Sequence, residues 1–327
     1  MNTTHVPSHL PLYLQARFSR RTVQKLALTL PSALLLAPPR RVLAQEATPG
    51  ALSADLQQFA DDTYAFVNSG YISLFIVTDE GVIATDPGSQ SGPERAEAYR
   101  AAIASVTDQP VRYLIYSHHH PDHATGGEIF ADTATFISHR NAVEKLAALA
   151  DPRIPVPEIA FTDQLTVELG GKTIELYYTG RNHSDNSIVL LYPERRLLFA
   201  VDFIPVNTLL FQNLPDAYPE EWIESLRWIE ENLDFDVLVP GHPPLPGTKA
   251  NVTEVREYLE DLMAAVRAAQ DQGLADNSPE MVEAVRTELE PAYGSWGMFA
   301  EWLPLNIEGL LRIWAEMGGA ADATPAP

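Results

Sequence analysis

The 327-residue chain contains no cysteine. That absence excludes disulfides, thiolate metal ligands and cysteine nucleophiles, so any metal must be held by nitrogen and oxygen. It leaves the compartment open. Long hydrophobic runs are also lacking: the apolar stretch Leu26 to Ala37 has about twelve residues, whereas a stable membrane-spanning helix needs roughly twenty. Positive charge is scarce, with 22 Lys and Arg against 44 Asp and Glu. Six of the basic residues and none of the acidic ones lie in residues 1–44, so the remainder holds 16 against 44, a formal charge of −28. Such a surface repels phosphate backbones and anionic lipid headgroups, which counts against a nucleic-acid partner and leaves a small-molecule substrate as the expected one. No internal repeat is evident, and nothing in the sequence fixes an oligomeric state.

What is present begins with the first 44 residues. They run from Ser19-Arg-Arg-Thr-Val-Gln-Lys25 into Leu26 to Ala37 and then to Val42-Leu-Ala44. The pattern resembles a twin-arginine export signal cleaved after Ala44, which implies a periplasmic or secreted protein exported in its folded state. Residues 45–60 read as a linker. The tail at residues 318–327, Gly-Gly-Ala-Ala-Asp-Ala-Thr-Pro-Ala-Pro, has too little apolar surface to bury and is expected to be disordered.

The most informative segment is His118-His119-His120-Pro121-Asp122-His123, four potential metal ligands in six residues. It follows Val111 to Tyr116, an apolar, β-branched and aromatic run of strand type. If the two-residue alternation continues, His118 and His120 point the same way and can grip one ion, while His119 points to the opposite face. Pro121 then breaks the strand, and Asp122 and His123 come from the following turn, where they could serve a second ion. Further along, His183 precedes the strand-like Ser187 to Tyr192 and would complete a three-histidine site. Asp202 follows the strand-like Arg196 to Val201 and could bridge both ions. His242 follows Asp236 to Val239. Loops at strand ends are where sites assemble from distant parts of a sequence.

These residues and their order make residues 61–248 resemble a metallo-β-lactamase superfamily hydrolase. The resemblance implies an α/β fold, an αββα sandwich, with one divalent ion on His118, His120 and His183, another on Asp122, His123 and His242, and Asp202 between them. Zinc is the expected metal, with iron or manganese as alternatives. Asp86, in Ile83-Ala-Thr-Asp-Pro-Gly88, matches the family aspartate that orients a ligand histidine. Coordination lowers the pKa of water from 15.7 to about 7, so the implied nucleophile is a metal-bridging hydroxide steered by Asp122. Of the two histidines that remain beyond residues 1–44, His119 is expected to face away from the metals, and His139 to lie at the surface or behind a ligand.

The rest of the chain fills in the sandwich. Thr63 to Asn68 and Ile72 to Thr78 read as a hairpin turning at Asn68-Ser-Gly70, with Gly81 to Thr85 as a third strand. In relatives this hairpin borders the site, which makes Phe66 and Tyr71 candidate substrate contacts. Gln164 to Leu169 and Lys172 to Tyr178 form a second hairpin at Gly170-Gly171. Pro93 to Val106, Asn141 to Ala150 and Glu220 to Asn232 read as helices. Residues 249–317 give a C-terminal helical extension, with an apolar stripe at Val255, Tyr258, Leu259, Leu262 and Val266. It is expected to complete the core, form an interface or act as a lid.

Substrate class is narrowed by departures from relatives. β-Lactamases with similar surroundings carry Cys where this chain has Asp202 and Lys where it has Pro205, so antibiotic hydrolysis is not the expected main activity. Glutathione-binding segments of the glyoxalase type are not apparent. Phe203 to Phe211 is largely apolar, with Asn207 as a polar handle, which suits a neutral ester, lactone or thioester. Two alternatives from other classes are an iron-dependent oxygenase of the persulfide dioxygenase type and a non-enzymatic metal-binding module. The seven-residue ligand set favours hydrolysis.

Overall fold

A computed structural model of the protein describes residues 55–322. Residues 1–44, expected to be an export leader, residues 45–54 of the expected linker and residues 323–327 lie outside the described residues.

Strands form where short β-branched and aromatic runs are broken by glycine and asparagine. In chain order the elements are β1 (Leu56–Ala60), β2 (Thr63–Asn68), β3 (Tyr71–Thr78), β4 (Gly81–Thr85), α1 (Glu94–Val106), β5 (Val111–Ile115), the one-turn α2 (Pro121–Ala124), β6 (Thr135–His139), α3 (Arg140–Ala148), β7 (Ile159–Phe161), β8 (Gln164–Leu169), β9 (Lys172–Tyr177), β10 (Val189–Tyr192), β11 (Leu197–Val201), α4 (Pro219–Asn232), β12 (Val237–Pro240), α5 (Ala250–Asp271), α6 (Pro279–Tyr293) and α7 (Phe299–Asp322). The β2–β3 hairpin turns on Ser69 and Gly70, with φ of 55° and 84°. Paired positive values are those of a type I′ turn, whose twist matches the flanking strands.

Strands β1 to β7 form one sheet in sequence order, antiparallel up to β4 and parallel from β4 to β7. The second sheet has the order β12-β11-β10-β9-β8 and is antiparallel except for the β11–β12 pair. Alternation along each strand assigns its faces. In β3, Ile72, Leu74 and Ile76 enter the core between the sheets beside Phe199 and Val201 of β11, while Phe75 packs with Tyr99 of α1 in the outer layer. On the far side of the second sheet, Trp222, Leu226 and Ile229 of α4 share a core with α5 and α7. The stripe Val255, Tyr258, Leu259, Leu262 and Val266 is buried there. The result is the expected αββα sandwich with C-terminal helices. No helix among the described residues is long and apolar enough to cross a membrane.

Three expectations need correction, and one strand was not anticipated. The expected linker contains β1, which pairs with β2; its sequence Leu-Gln-Gln-Phe-Ala alternates poorly because an edge strand buries little. Strand β7 is three residues long, too short to leave a periodic signal. Helix α7 runs to Asp322 rather than ending at Met317, since extending an existing helix is cheap compared with nucleating one. His139 is buried rather than at the surface. Its ring stacks on Tyr178 at 3.9 Å, its Nε2 donates to the Thr162 carbonyl at 2.8 Å, and its Nδ1 accepts the Asn141 N–H at the start of α3. It packs and caps.

The two sheets are also tied by charge. Asp62, buried in the β1–β2 turn, receives hydrogen bonds from Arg195 Nε at 2.9 Å, Arg195 Nη2 at 2.9 Å and the Tyr192 hydroxyl at 2.9 Å, and Lys172 Nζ lies 2.9 Å away. Burial alone would raise its pKa, but Arg195 and Lys172 hold it well below the usual carboxylate range. The stabilisation is therefore complete at neutral pH and shrinks as pH falls below the ordinary carboxylate value of about 3.9. Asp62→Asn is expected to lower stability by about 2 kcal/mol at pH 7, read from urea unfolding, and the difference from wild type should narrow below pH 4. Equal midpoints at pH 7 would contradict this.

Candidate metal centre

Four strand ends meet at one edge of the sandwich. After β5 the chain reaches His118, His119 and His120, and the His120 carbonyl accepts the N–H groups of His123 and Ala124 to start α2. Pro121 at the first helical position needs no N–H partner there. Asp202 directly follows β11, where Val201 has φ of 34°. His242 follows β12, which runs parallel to β11 and places Gly241 N–H on the Val201 carbonyl at 2.9 Å. His183 sits on the β9–β10 connection, fixed by the Asn182 N–H to the Ser184 carbonyl at 3.0 Å and by Trp222 edge-on to its ring.

The seven side chains expected as ligands converge in two groups that share Asp202. His118, His120, His183 and Asp202 form one, and Asp122, His123, His242 and Asp202 the other; within each, one candidate ligand atom per residue lies within 4.8 Å of all the rest. The Asp202 carboxylate divides between them. Its Oδ2 faces His118 Nε2 at 3.7 Å and His183 Nε2 at 3.6 Å, while its Oδ1 faces His123 Nε2 at 3.2 Å and His242 Nε2 at 3.3 Å. His183 Nε2 also lies 3.1 Å from His120 Nδ1. Either group could hold a metal ion.

Four of the five candidate ligand rings are aimed by a contact on the other nitrogen. Ser117 Oγ lies 2.9 Å from His118 Nδ1, and His242 Nδ1 donates to the Gly70 carbonyl at 2.8 Å. Asp86 accepts the Ser117 N–H at 2.8 Å through Oδ1 and turns Oδ2 towards His123 Nδ1 at 3.7 Å. Asp216, which no motif singles out, lies 3.1 and 3.2 Å from His120 Nε2 through its two oxygens. Asp202 is the only other acid between β11 and α4, and tertiary packing brings Asp216 to the site. His119 does not face away as expected. Its backbone N–H donates to Asn186 Oδ1 at 2.9 Å, and its ring stands beside His120 at 4.7 Å with Nε2 3.9 Å from Asp216.

Around the ionised carboxylate the electrostatics favour neutral imidazoles at His118 and His183 and the protonated form at His123 and His242. Burial, reinforced by His120 and His123, holds His118 well below its ordinary pKa, and burial lowers His183 to about 4. Burial would raise Asp202, but His123 and His242 keep it well below the carboxylate range. The same carboxylate raises His123 and His242 against the effect of burial. His118 Nε2, His123 Nε2 and Asp202 Oδ1 are buried with no hydrogen-bond partner. Buried polar atoms are normally satisfied, and these three orphans, spread over the two ligand groups, match what cations would satisfy.

The centre opens into a cavity of about 570 Å³. Tyr71 lines it, with its ring 5.8 Å from that of His123 and 5.0 Å from that of His242. Phe66 does not: it points to the opposite face of its sheet and stacks on Tyr99 at 5.3 Å. Asn207 is exposed and outside the cavity lining, its carbonyl accepting the Gly297 N–H; a left-handed backbone, φ 48°, turns it away, and Val206 and Thr208 line the cavity instead.

Residues 66–242 match the model of the Metallo-beta-lactamase superfamily. The 2,4-dinitroanisole O-demethylase subunit alpha of Nocardioides sp. (strain JS1661) is 32% identical over 173 residues, 52% of this chain and 52% of that protein, so the match spans about half the relative's length. The metallo-beta-lactamase type 2 of Bacteroides fragilis is 26% identical over 234 residues, 68% of this chain and 93% of that protein. Among solved structures, a metallo-beta-lactamase from Pontibacter korlensis superposes with a TM-score of 0.54 at 21% identity, covering 63% of this chain and 98% of its own. With its fold, its ligand-rich strand ends and more than half its length matched, the chain belongs to the metallo-beta-lactamase superfamily.

Proposed function

We propose that the protein is a dinuclear metal-dependent hydrolase of small molecules. In this reading His118, His120 and His183 hold one divalent ion, Asp122, His123 and His242 hold another, and Asp202 bridges them. The observation that carries it is the set of buried, unpartnered atoms on His118, His123 and Asp202. Left without a cation they would cost the full penalty of burying polar groups unpaired. Zinc suits the nitrogen-rich donor set, with iron and manganese as alternatives. Ions held there would lower the pKa of a coordinated water from 15.7 to about 7 and neutralise charge developing on the substrate.

The chain's own groups do the rest. Asp122, part-buried on the cavity wall, is positioned to accept the proton of the attacking water. The water oxygen adds to the acyl carbon, the bond to the alkoxy or thiol group breaks, and the proton passes to the departing atom. An ester, lactone or thioester is the substrate class this chemistry and the apolar cavity support. The Bacteroides relative keeps β-lactam hydrolysis as a second reading, and the Nocardioides relative, named for an aromatic methyl ether, adds aryl ethers to the range worth testing. The twin-arginine-type leader supports action in the periplasm or outside the cell.

A panel of esters, lactones, thioesters, β-lactams and aryl methyl ethers, run on metal-replete protein, tests this reading. Turnover is expected on a neutral ester or lactone, and His120→Ala and Asp122→Asn should each lower kcat/KM by about 100-fold or more. Wild-type turnover in either folded variant would contradict the assignment. Gly241 offers a second check. A Cβ there would meet Asp202 Oδ1, with Val201 Cγ1 at 2.6 Å and His123 Cε1 at 3.0 Å. Gly241→Ala is expected to lose about 1–3 kcal/mol through overpacking and to retain less metal than wild type by elemental analysis; full metal retention would count against a bridging Asp202.

A further inference from the structure

The cavity has two unlike halves. One carries the candidate ligands. The other is built from Val206, Leu209 and Phe211 after β11 and from Met298 and Trp302 at the start of α7. Among the described residues no lysine or arginine lines the cavity, and its only acids, Asp122 and Asp202, belong to the ligand half. At the mouth, Phe211 and Met298 are 48% and 39% exposed, and the Phe211 ring meets Trp302 edge-on at 5.5 Å. Large apolar side chains left exposed at a cavity rim mark a place where a ligand covers them.

This wall is preformed. The Leu209 N–H donates to the Gly297 carbonyl at 3.0 Å, and the Gly297 N–H returns a bond to Asn207 at 2.8 Å. Asn306, fully buried in α7, donates to the carbonyls of Leu210 at 2.9 Å and Gln212 at 2.6 Å, and its Oδ1 accepts the Tyr258 hydroxyl at 2.7 Å. Arg312 adds bonds to the carbonyls of Asn213 and Leu214. The loop and α7 are thus one stapled unit, and little ordering cost remains when a ligand arrives. Met298 and Trp302 lie beyond residues 66–242, the segment that matches the family model. The hydrolytic centre belongs to the shared part of the chain, while this wall is supplied in part by the C-terminal extension.

We propose that Phe211, Met298 and Trp302 form an apolar subsite that takes the uncharged hydrocarbon part of a neutral ester or lactone, so that the C-terminal helices act as the specificity element. The inference rests on the hydrolytic reading above and names its substrate class. A carboxylate at the far end of the substrate would be desolvated without a cationic partner, whereas each methylene seated against the wall gains contact.

The test uses metal-replete protein and nitrophenyl esters of acetate, butyrate and hexanoate, with the mono-nitrophenyl ester of adipate as the charged counterpart. In wild type, kcat/KM is expected to rise about two- to fourfold per methylene, and the adipate ester should fall at least tenfold below hexanoate. Phe211→Ala, at an exposed position, and Trp302→Ala should each cut the hexanoate-to-acetate ratio by about fivefold or more. An unchanged ratio in both variants, or adipate turned over as well as hexanoate, overturns the subsite. If wild type hydrolyses none of the esters, the ester reading fails and the subsite is judged by binding alone, with uncharged N-phenyl-1-naphthylamine as the fluorescent probe. Wild-type binding weakened at least fivefold in both variants then supports the subsite, and absent or unaltered binding overturns it.

Discussion

A carboxylate buried among imidazoles is the constraint on which the rest of the structure turns. Asp202 sits at the end of a strand whose five residues are all buried, so its position is set by packing on both faces. An ionised group in such a place is costly unless opposite charge reaches it. Two imidazoles face each of its oxygens, brought by β5, β9 and β12 from both sheets. Neither sheet alone contains the site. The core between the sheets, the Asp62 ion pairs across them and the parallel β11–β12 pairing matter to function because they hold these strand ends within a few ångströms of one carboxylate.

Much of this was legible in the sequence, and the reasons differ by residue. The run from His118 to His123 announced itself through density of ligand types at a strand end, and the fold gathers four of its side chains beside His183, Asp202 and His242. His183, Asp202 and His242 gained meaning only through order and strand context. Phe66 and Tyr71 lie in one hairpin, but strand alternation sends Phe66 to the helix layer and leaves Tyr71 at the turn, beside His123 and His242. Asn207 misled because a left-handed backbone reverses its direction, which composition does not reveal. Asp216, Met298 and Trp302 were illegible for a common reason: each reaches the cavity or its ligands through tertiary packing across long sequence separations.

The C-terminal helices reconcile two expectations that had stood as alternatives. They complete a core, through the buried stripe of α5 and its contacts with α4, and they also wall the cavity through the first turn of α7. The acidity of the chain fits the same picture. A cavity lined by no lysine or arginine among the described residues leaves any metal ions as the main source of positive charge for a substrate, so the reacting bond would be drawn to them while apolar groups settle on the opposite wall.

The central claim, that Asp202 lies between two metal ions, is tested most directly by anomalous diffraction at the metal absorption edge from crystals of the purified, metal-loaded protein. Two peaks are expected, one among His118, His120 and His183 and one among Asp122, His123 and His242, with an Asp202 oxygen bound at each. A single peak, or none within reach of Asp202, would contradict the account.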